Sequence, residues 1–540
     1  MAPDVLIVGS GPTGLLMACE LARRGVTARV IDKLAEPSDK SRALIVQARS
    51  IEIFELMGLG ERLLGVGARV ARARLYVDGR QALDIELGDI RVEGAPYACL
   101  LTVSQEQTER LLSERLAELG GLVERGTELL SFEQTSEDVH ATLRRADGSP
   151  EQVQVRYLIG CDGAHSTVRH GLGVEFKGAA YPQDFILADL DLEWAVPRDE
   201  IRIHLSKEGV FTIFPLREGL RTRLLASRRN VPADAADPTL EEFEDTFNRF
   251  SPEPGKLLNP RWLARFHLSH RLVDRYASGR VFLCGDAAHI HSPAGGQGMN
   301  TGLQDAWNLA WKLALVVKGR AEPKLLESYN LERHPVGEFL MKSTDRLFQM
   351  ATAGGATADV VRRYIAPKVA RVALTVPEAK RFALLTVSQL GIEYRRSPIV
   401  TEGARSGRLK RGPHAGDRAP DAALVGPDGE PTRLFLQLGS PLHHLLVFSG
   451  DGGKEAFAEA CSAVSSRLGR DFGGLVDVLC IGRESGPGTF HDPSGEAHER
   501  YGAASPAVYL IRPDGYVGWR NAGWDIQGLL QFLEGIARAR

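Results

Sequence analysis

At 540 residues the chain is too long for one ordinary hydrophobic core, so two to four domains are expected. Hydrophobic residues make up 43% and charged residues 25%, the balance of a globular protein rather than a disordered or fibrous one. A formal net charge of −3, with no basic run and no basic stripe interleaved with aromatics, gives no electrostatic case for nucleic acid.

In chain order, Val5–Val8 is a β-branched strand, followed by a glycine turn and a helix with apolar spacing over 15–24. A second strand over 26–31 ends at Asp32, completing a βαβ unit. An amphipathic helix is predicted over 105–119 and a strand over 152–159. From Asp184 to about Arg229 the pattern turns to strands, including 185–192 and 210–214, which reads as an antiparallel sheet of its own. Val281–Leu283 returns to the style of the first domain, and a long helix is predicted over 299–317. A mainly helical stretch runs to about Tyr394, and a polar, glycine-rich linker falls near Arg411-Gly412-Pro413. Beyond it come a strand (445–448), a helix (454–468), a strand (476–481), a hairpin (508–519) and a last helix (526–537).

The N-terminus has no basic segment before an apolar stretch, and each long apolar run is broken short of a membrane span. A cytoplasmic protein with no membrane partner is expected. The six cysteines (19, 99, 161, 284, 461, 480) form no C-x-x-C pair, so zinc and dithiol sites are unsupported. Cys19, Cys161 and Cys284, in or beside apolar runs, read as buried small hydrophobes, and no disulfide framework is expected, as in a reducing compartment.

The segment Gly9-Ser10-Gly11-Pro12-Thr13-Gly14 is G-x-G-x-x-G between a strand and a helix. Gly9 permits the tight turn, Gly11 lets backbone approach a pyrophosphate, and Gly14 lets helix and strand pack closely. The helix N-terminus offers free N–H groups and a positive dipole end to the phosphates. Asp32, about 20 residues on, is placed to accept from a ribose hydroxyl. This motif alone does not choose between NAD and FAD.

Two further motifs follow. Tyr157-Leu-Ile-Gly-Cys-Asp162-Gly163 is a strand with an Asp-Gly turn, continuing to Arg169. Val281-Phe-Leu-Cys-Gly285-Asp286 is a second strand ending in Gly-Asp, with Pro293 downstream. With these the sequence resembles the class A flavoprotein aromatic hydroxylases (the phenol hydroxylase, pentachlorophenol monooxygenase and polyketide hydroxylase branch), which carry the three motifs in this order. Gly295-Gly-Gln-Gly298-Met299-Asn300 through Lys312, and Tyr329-Asn-Leu-Glu332-Arg333, extend the resemblance to roughly residue 340.

The resemblance implies an α/β fold: a Rossmann-like FAD-binding domain (1–180 and 276–345), an inserted β-sheet substrate domain (181–275), a helical segment and linker (346–411), and a C-terminal thioredoxin-like domain (412–540) without redox cysteines. In that last domain Ser505-Pro506 matches the place of a cis-proline. By the same resemblance Asp286 bonds a ribityl hydroxyl of FAD, and Gly298, Met299 and Asn300 present backbone N–H groups to the pyrimidine end of the flavin. Asp162 is linked to flavin and nicotinamide binding; its plain reading is a turn aspartate bonded to its own backbone. Pro293 is either a rigid loop corner or the family proline over the flavin beside the reacting carbon. Arg42 matches an arginine near the adenosine and pyrophosphate, and Gln105 a glutamine contacting FAD. His289 and His291 read as loop histidines around the site, and no metal ligand set is visible.

The implied activity is NAD(P)H- and O2-dependent hydroxylation of a phenolic or polyketide-like aromatic through a C4a-hydroperoxyflavin. NADPH or NADH would be a transient co-substrate, because no second dinucleotide turn is present. Two alternatives stand beside it: another flavin-dependent oxidation, or a flavin-stabilised small-molecule binding protein. A homodimer is compatible with either. A phenol would need a base or proton relay; the histidines and Tyr181 are candidates, and none is singled out.

Overall fold

The computed structural model describes residues 3–38, 43–88, 92–97, 99–228, 236–292, 295–352 and 364–538. Arg42 and Pro293 lie outside the described residues.

The first layer is a six-stranded sheet in the order Ala277–Ser278, Val281–Leu283, Tyr157–Gly160, Val5–Val8, Ala28–Asp32, Val123–Arg125. All its pairings are parallel except that of Ala277–Ser278. The central strands are apolar on both faces, as a parallel sheet covered by helices requires. Helices Pro12–Arg23 and Gly298–Val317 pack together beside it. The first of these opens at Pro12 rather than Leu15, because proline's fixed φ suits the first helical position. The strand expected over 152–159 is two strands, Pro150–Val155 and Tyr157–Gly160, in different sheets.

The second layer is an eight-stranded sheet in the order His289–Ile290, Gly255–Val273, Phe176–Trp194, Arg221–Arg228, Gly209–Pro215, Glu200–Ser206, Arg72–Val77, Arg80–Glu86. It is not built from the expected insertion alone: the Arg72–Val77 and Arg80–Glu86 hairpin joins it through a parallel pairing with Glu200–Ser206. One face is covered by helix Leu240–Phe250, whose Phe243 and Phe247 pack on Ile186, Leu190, Phe211 and Leu224. The opposite face carries Phe185, Leu225, Phe266 and Leu268.

The C-terminal region holds another eight-stranded sheet. At its centre Val476–Gly482 runs parallel to His443–Phe448, followed by antiparallel Ala507–Ile511 and Val517–Ala522. Two expectations are corrected here. Cys461 and Cys480 form a disulfide, because helix Lys454–Phe472 packs on strand Val476–Gly482 with the two Cα atoms 6.2 Å apart. Among the described residues no peptide bond is cis, so Ser505–Pro506 is trans; Pro506 enters the strand extended, its carbonyl accepting from Gly523 N at 2.6 Å.

This region is bolted to the first by buried charge. The Glu332 carboxylate accepts from Arg512 Nη1 and Nη2 (2.6 and 2.9 Å) and from Lys312 Nζ (2.7 Å). Asp514 accepts from Trp311 Nε1 at 3.1 Å, and its carbonyl accepts from Arg49 Nη2 at 2.6 Å. Burial pulls the Lys312 ammonium down to about 8, against the raising pull of Glu332. Burial would raise the Glu332 carboxyl, but Arg512 and Lys312 overcome it and hold it well below the ordinary range.

Three buried histidines set an acid limit. Burial pulls His204, His443 and His444 from 6.5 to about 4, 3 and 4. Each binds a proton less readily folded than unfolded, so its contribution is whole above the unfolded value and falls as pH drops. A thermal midpoint measured across pH is therefore expected to decline from about 6.5 toward about 4. A flat midpoint over that window would show these imidazoles to be solvated.

Candidate functional site

The three motifs meet at the carboxyl end of the parallel sheet. Gly9 has φ +99°, and a Cβ there would lie 2.4 Å from the Cys161 carbonyl, so the glycine turn is pressed against the Asp-Gly turn. A Cβ on Gly14 would lie 2.0 Å from the Gly9 carbonyl, whereas one on Gly11 would meet nothing within 4 Å. Gly11 thus faces open space, and Gly9 and Gly14 are packing glycines. Thr13 fills the corner between Gly285 and Gly302. Arg169 ties the second motif to the third by donating to Ala164 O (2.9 Å) and Ala287 O (3.2 Å).

The lip of the resulting cleft is partly open. Gly11, Pro12, Thr13, Asp32, Asp162, Gly298 and Met299 are half-buried and Asp286 is exposed, while Gly14, Gly285 and Asn300 are buried. The Asp32 carboxylate accepts from Ser10 N, Ser10 Oγ and Leu34 N at 2.8, 2.7 and 2.9 Å, which fixes it at the end of its strand. Asp162 Oδ2 accepts from Val168 N at 3.1 Å, while Oδ1 is buried without a hydrogen-bond partner. Burial raises the Asp162 carboxyl above its ordinary range. Gln105 accepts from Ala43 N at 3.0 Å and so holds the chain beside Arg42.

The Asn300 side chain is committed to the protein: Oδ1 accepts from Gln47 N (2.9 Å), and Nδ2 donates to Ile45 O and Gly296 O (both 2.8 Å). Only its backbone is left to face a ligand. Gly298, Met299 and Asn300 open helix Gly298–Val317, and the first intrahelical bond of this end is Thr301 N to Gln297 O at 2.9 Å. The earlier N–H groups of this end therefore have no partner within the helix, and the helix dipole is positive there.

The motifs rest on Asp305, which lay within a matched run but was not read from the sequence as a site residue. Asp305 Oδ2 accepts from Gly285 N (3.1 Å) and His289 Nε2 (2.8 Å), and Oδ1 from Arg333 Nε (2.7 Å). Arg333 also donates to Thr301 O (3.1 Å) and Tyr394 Oη (3.0 Å), and Tyr394 lies 4.4 Å from the Tyr516 ring. Burial would raise the Asp305 carboxyl, but Arg333 and His289 hold it lowered. His291, its ring 6.2 Å from that of His289, is pulled down to about 4 by burial and by His289. Both histidines are packing groups in this loop. Among the described residues no group of three His, Cys, Asp or Glu side chains could hold a metal ion.

Gly302 makes the junction testable. A Cβ there would lie 2.5 Å from Thr13 Oγ1 and 3.1 Å from Gly285 Cα. Gly302→Ala is expected to cost about 1–3 kcal/mol and to lower FAD occupancy, measured from the flavin absorbance of purified protein, with partial recovery in the Thr13→Ala background.

A parallel sheet with a glycine turn, an Asp-Gly turn and a Gly-Asp loop joined at its carboxyl end defines a dinucleotide-dependent enzyme. Residues 2–344 match the FAD binding domain family, and residues 412–537 match the aromatic-ring hydroxylase C-terminal family. The chain belongs to the FAD-dependent aromatic-ring hydroxylases. It is 35% identical to a 6-methylpretetramide 4-monooxygenase of Streptomyces rimosus, over 98% of this chain and 93% of that one. It is 32% identical to the pentachlorophenol 4-monooxygenase of Sphingobium chlorophenolicum, over 97% and 95%. Among solved structures, a ternary complex of aklavinone-11 hydroxylase with FAD and aklavinone superposes with a TM-score of 0.77 at 26% identity, covering 98% of each chain. The protein is an FAD-dependent monooxygenase. Among the described residues no helix is long and apolar enough to cross a membrane.

Proposed function

We propose that the chain hydroxylates a phenolic or polyketide-like aromatic with NAD(P)H and O2, in the cleft between the joined motifs and the aromatic face of the eight-stranded sheet. The observation that carries this is the contact of the three motifs at one place. In this reading the substrate lies against the strand face bearing Phe185, Leu225, Phe266 and Leu268. That face meets the motif side at two points: Arg223 Nη1 donates to Ala43 O at 3.5 Å, and Thr102 Oγ1 donates to Pro215 O at 2.5 Å. The compounds in the relatives' names, a pretetramide, a chlorinated phenol and aklavinone, support an aromatic ring as the ligand.

In this reading Gly9, Gly11, Pro12, Thr13 and Gly14 cradle the pyrophosphate, and the open space before Gly11 is where it approaches. Asp32 takes the ribose with its remaining acceptor capacity, and Arg42 and Gln105 flank the adenosine half. The exposed carboxylate of Asp286 takes the ribityl chain, while Asp162 faces the flavin with its unpartnered Oδ1. The N–H groups of Gly298, Met299 and Asn300 meet the pyrimidine end, where a helix N-terminus favours negative charge. Pro293 caps the ring. Bound FAD supplies the oxygen-activating chemistry; the protein supplies position, desolvation and fixed charge. The Asp189–Arg223 pair, 2.6 Å apart and nearly buried, leaves the floor close to neutral, which suits an uncharged aromatic.

The C-terminal region is thioredoxin-like in this reading, supported by its central strands, one parallel pair followed by two antiparallel neighbours. Helix Lys454–Phe472 starts after Ser449-Gly450-Asp451-Gly452-Gly453, with no cysteine at the place where a dithiol would act, so its role is structural. The test is a screen of phenols and polyketide-like aromatics for stimulated NAD(P)H consumption, with labelled O2 traced into product. Colourless protein without recoverable FAD, or consumption that no aromatic accelerates, would sink the reading.

A further inference from the structure

Among the described residues fourteen large apolar side chains are exposed, and seven of them fall within residues 364–387. Single apolar residues scattered over a surface need no explanation, but such a concentration does. The stretch is built from two helices, Ala366–Thr375 and Pro377–Val387, packed on each other. Ile365, Val369, Val372 and Val376 recur at intervals of four, three and four, from just before the first helix to just after it. That spacing lines them along one side of the helix. All four are 42–64% exposed, so the apolar side faces solvent. The second helix has no buried residue, and Phe382 on it is 67% exposed.

The hairpin is fastened at its edge and at its exit. Arg371 Nη2 donates to Ala82 O at 2.9 Å, which rests the first helix on strand Arg80–Glu86. Beyond the second helix, the Ser388 carbonyl accepts from Arg49 N at 3.2 Å, and Gln389 Nε2 donates to Thr301 Oγ1 at 3.1 Å. The charge of the stretch is the reverse of the chain's. Residues 362–388 include six arginines and lysines and one acid, Glu378, whereas the whole chain carries −3. Lys368, Arg371, Lys380 and Arg381 are exposed, and among the described residues none of the four is paired with a carboxylate.

We propose that this hairpin docks the protein on an anionic lipid surface, with Val369, Val372 and Phe382 entering the acyl boundary and Lys368, Lys380 and Arg381 among the phosphates. A helix with an apolar stripe and cationic flanks lies in the plane of the membrane interface, and each Lys or Arg is drawn to anionic headgroups. Lys368 and Arg371, three positions apart, flank the stripe on one side. The expectation of no membrane partner rests on the absence of a spanning run, and an interfacial helix needs none. A second copy of the chain is the rival occupant. A twofold pair sets the patch against itself, with six cations and a single acid on each side, and like charge across an interface opposes pairing. Lipid answers both the apolar stripe and the charge. The proposal stands apart from the hydroxylase reading, because docking is read without turnover.

The test is flotation of FAD-loaded protein with phosphatidylcholine vesicles, alone or with about a third phosphatidylglycerol. The parent is expected to float with the anionic vesicles and to bind the neutral ones at least about tenfold more weakly. Val369→Asp with Val372→Asp, and Lys368→Glu with Lys380→Glu, are each expected to lose at least about tenfold in binding to anionic vesicles. Leu122→Ser is expected to bind like the parent, because Leu122 is as exposed as Phe382 but lies outside the patch. Flavin absorbance and the thermal midpoint report folding of each variant. A parent that ignores both kinds of vesicle, or binds them without regard to charge, overturns the proposal. So do hairpin variants that bind like the parent. A parent that binds no vesicle and is a dimer by light scattering, split by the two aspartates, has a second copy as its occupant and overturns the proposal too.

Discussion

Asp305→Ala is expected to yield a protein that no longer holds FAD. The substitution strips Arg333 of its carboxylate and leaves the Gly285 N–H and the His289 Nε2–H without an acceptor, all inside the fold. Removing one partner of a buried ion pair costs about 3–5 kcal/mol, because the remaining charge stays desolvated. The loss falls on the Gly-Asp loop and on the first turn of helix Gly298–Val317, which Arg333 reaches through Thr301 O. Asp305→Asn is a finer probe. Both Asp305 oxygens accept, and an asparagine has one acceptor, so it must turn its amide hydrogens toward either Arg333 or the Gly285–His289 side. A smaller loss of stability with weakened flavin retention is expected. Flavin absorbance after gel filtration and the urea midpoint measure the two effects. An Asp305→Ala protein that keeps its flavin through the column would remove Asp305 from the centre of the site.

The second large effect lies at Arg512, 180 positions from its partner Glu332. Arg512→Met leaves Glu332 with the Lys312 ammonium and the neutral donors Asn308 Nδ2 and Ser397 Oγ, and Asp514 without its guanidinium. A loss of about 3–5 kcal/mol is expected in the urea midpoint. Because these groups are buried, the loss should barely change in high salt. Arg538→Ala is the contrast. Its partner Glu322 is on the surface, with 58% and 63% of the two side chains exposed, and the change should scarcely register. If Arg512→Met behaves like Arg538→Ala, the C-terminal region is packed on the rest by apolar surface alone.

What the sequence disclosed and what it withheld divide along physical lines. A glycine turn is legible because a backbone requirement is written directly as a residue type. Gly9, with its positive φ and its closeness to Cys161, cannot be anything else. Asp162-Gly163 and Gly285-Asp286 were legible for the same reason. The support beneath them was not. Asp305 and Arg333 stood within matched runs, but nothing local says that their charges are buried or that they point at each other across 28 positions. Glu332 and Arg512 are separated by 180. The hairpin Arg72–Glu86 was missed because it lies at the polar end of its sheet, where alternation is weak: most of Arg80–Glu86 is exposed or half-buried. The cysteine pair was missed because a spacing of 19 matches no short motif, and only the packing of helix on strand brings the sulfurs together. Asn300 was placed correctly at the helix start by its motif, yet its side chain serves the protein rather than the cleft.

The Arg512–Glu332 connection also bears on how the molecule is made. A chain emerges from the ribosome N-terminus first, at about 5–20 residues per second, and domains close as they appear. Glu332 and Lys312 therefore leave the tunnel long before Arg512, which follows Glu332 by 180 positions, and Asp514 beside it. During that interval the nascent FAD-binding half carries a carboxylate and an ammonium on a surface later sealed by the hairpin, and the Trp311 indole N–H awaits Asp514. The cofactor cradle is thus finished from behind, by a segment made later. A message truncated shortly before residue 512 would release a product that contains every flavin motif and still lacks the closure that steadies them.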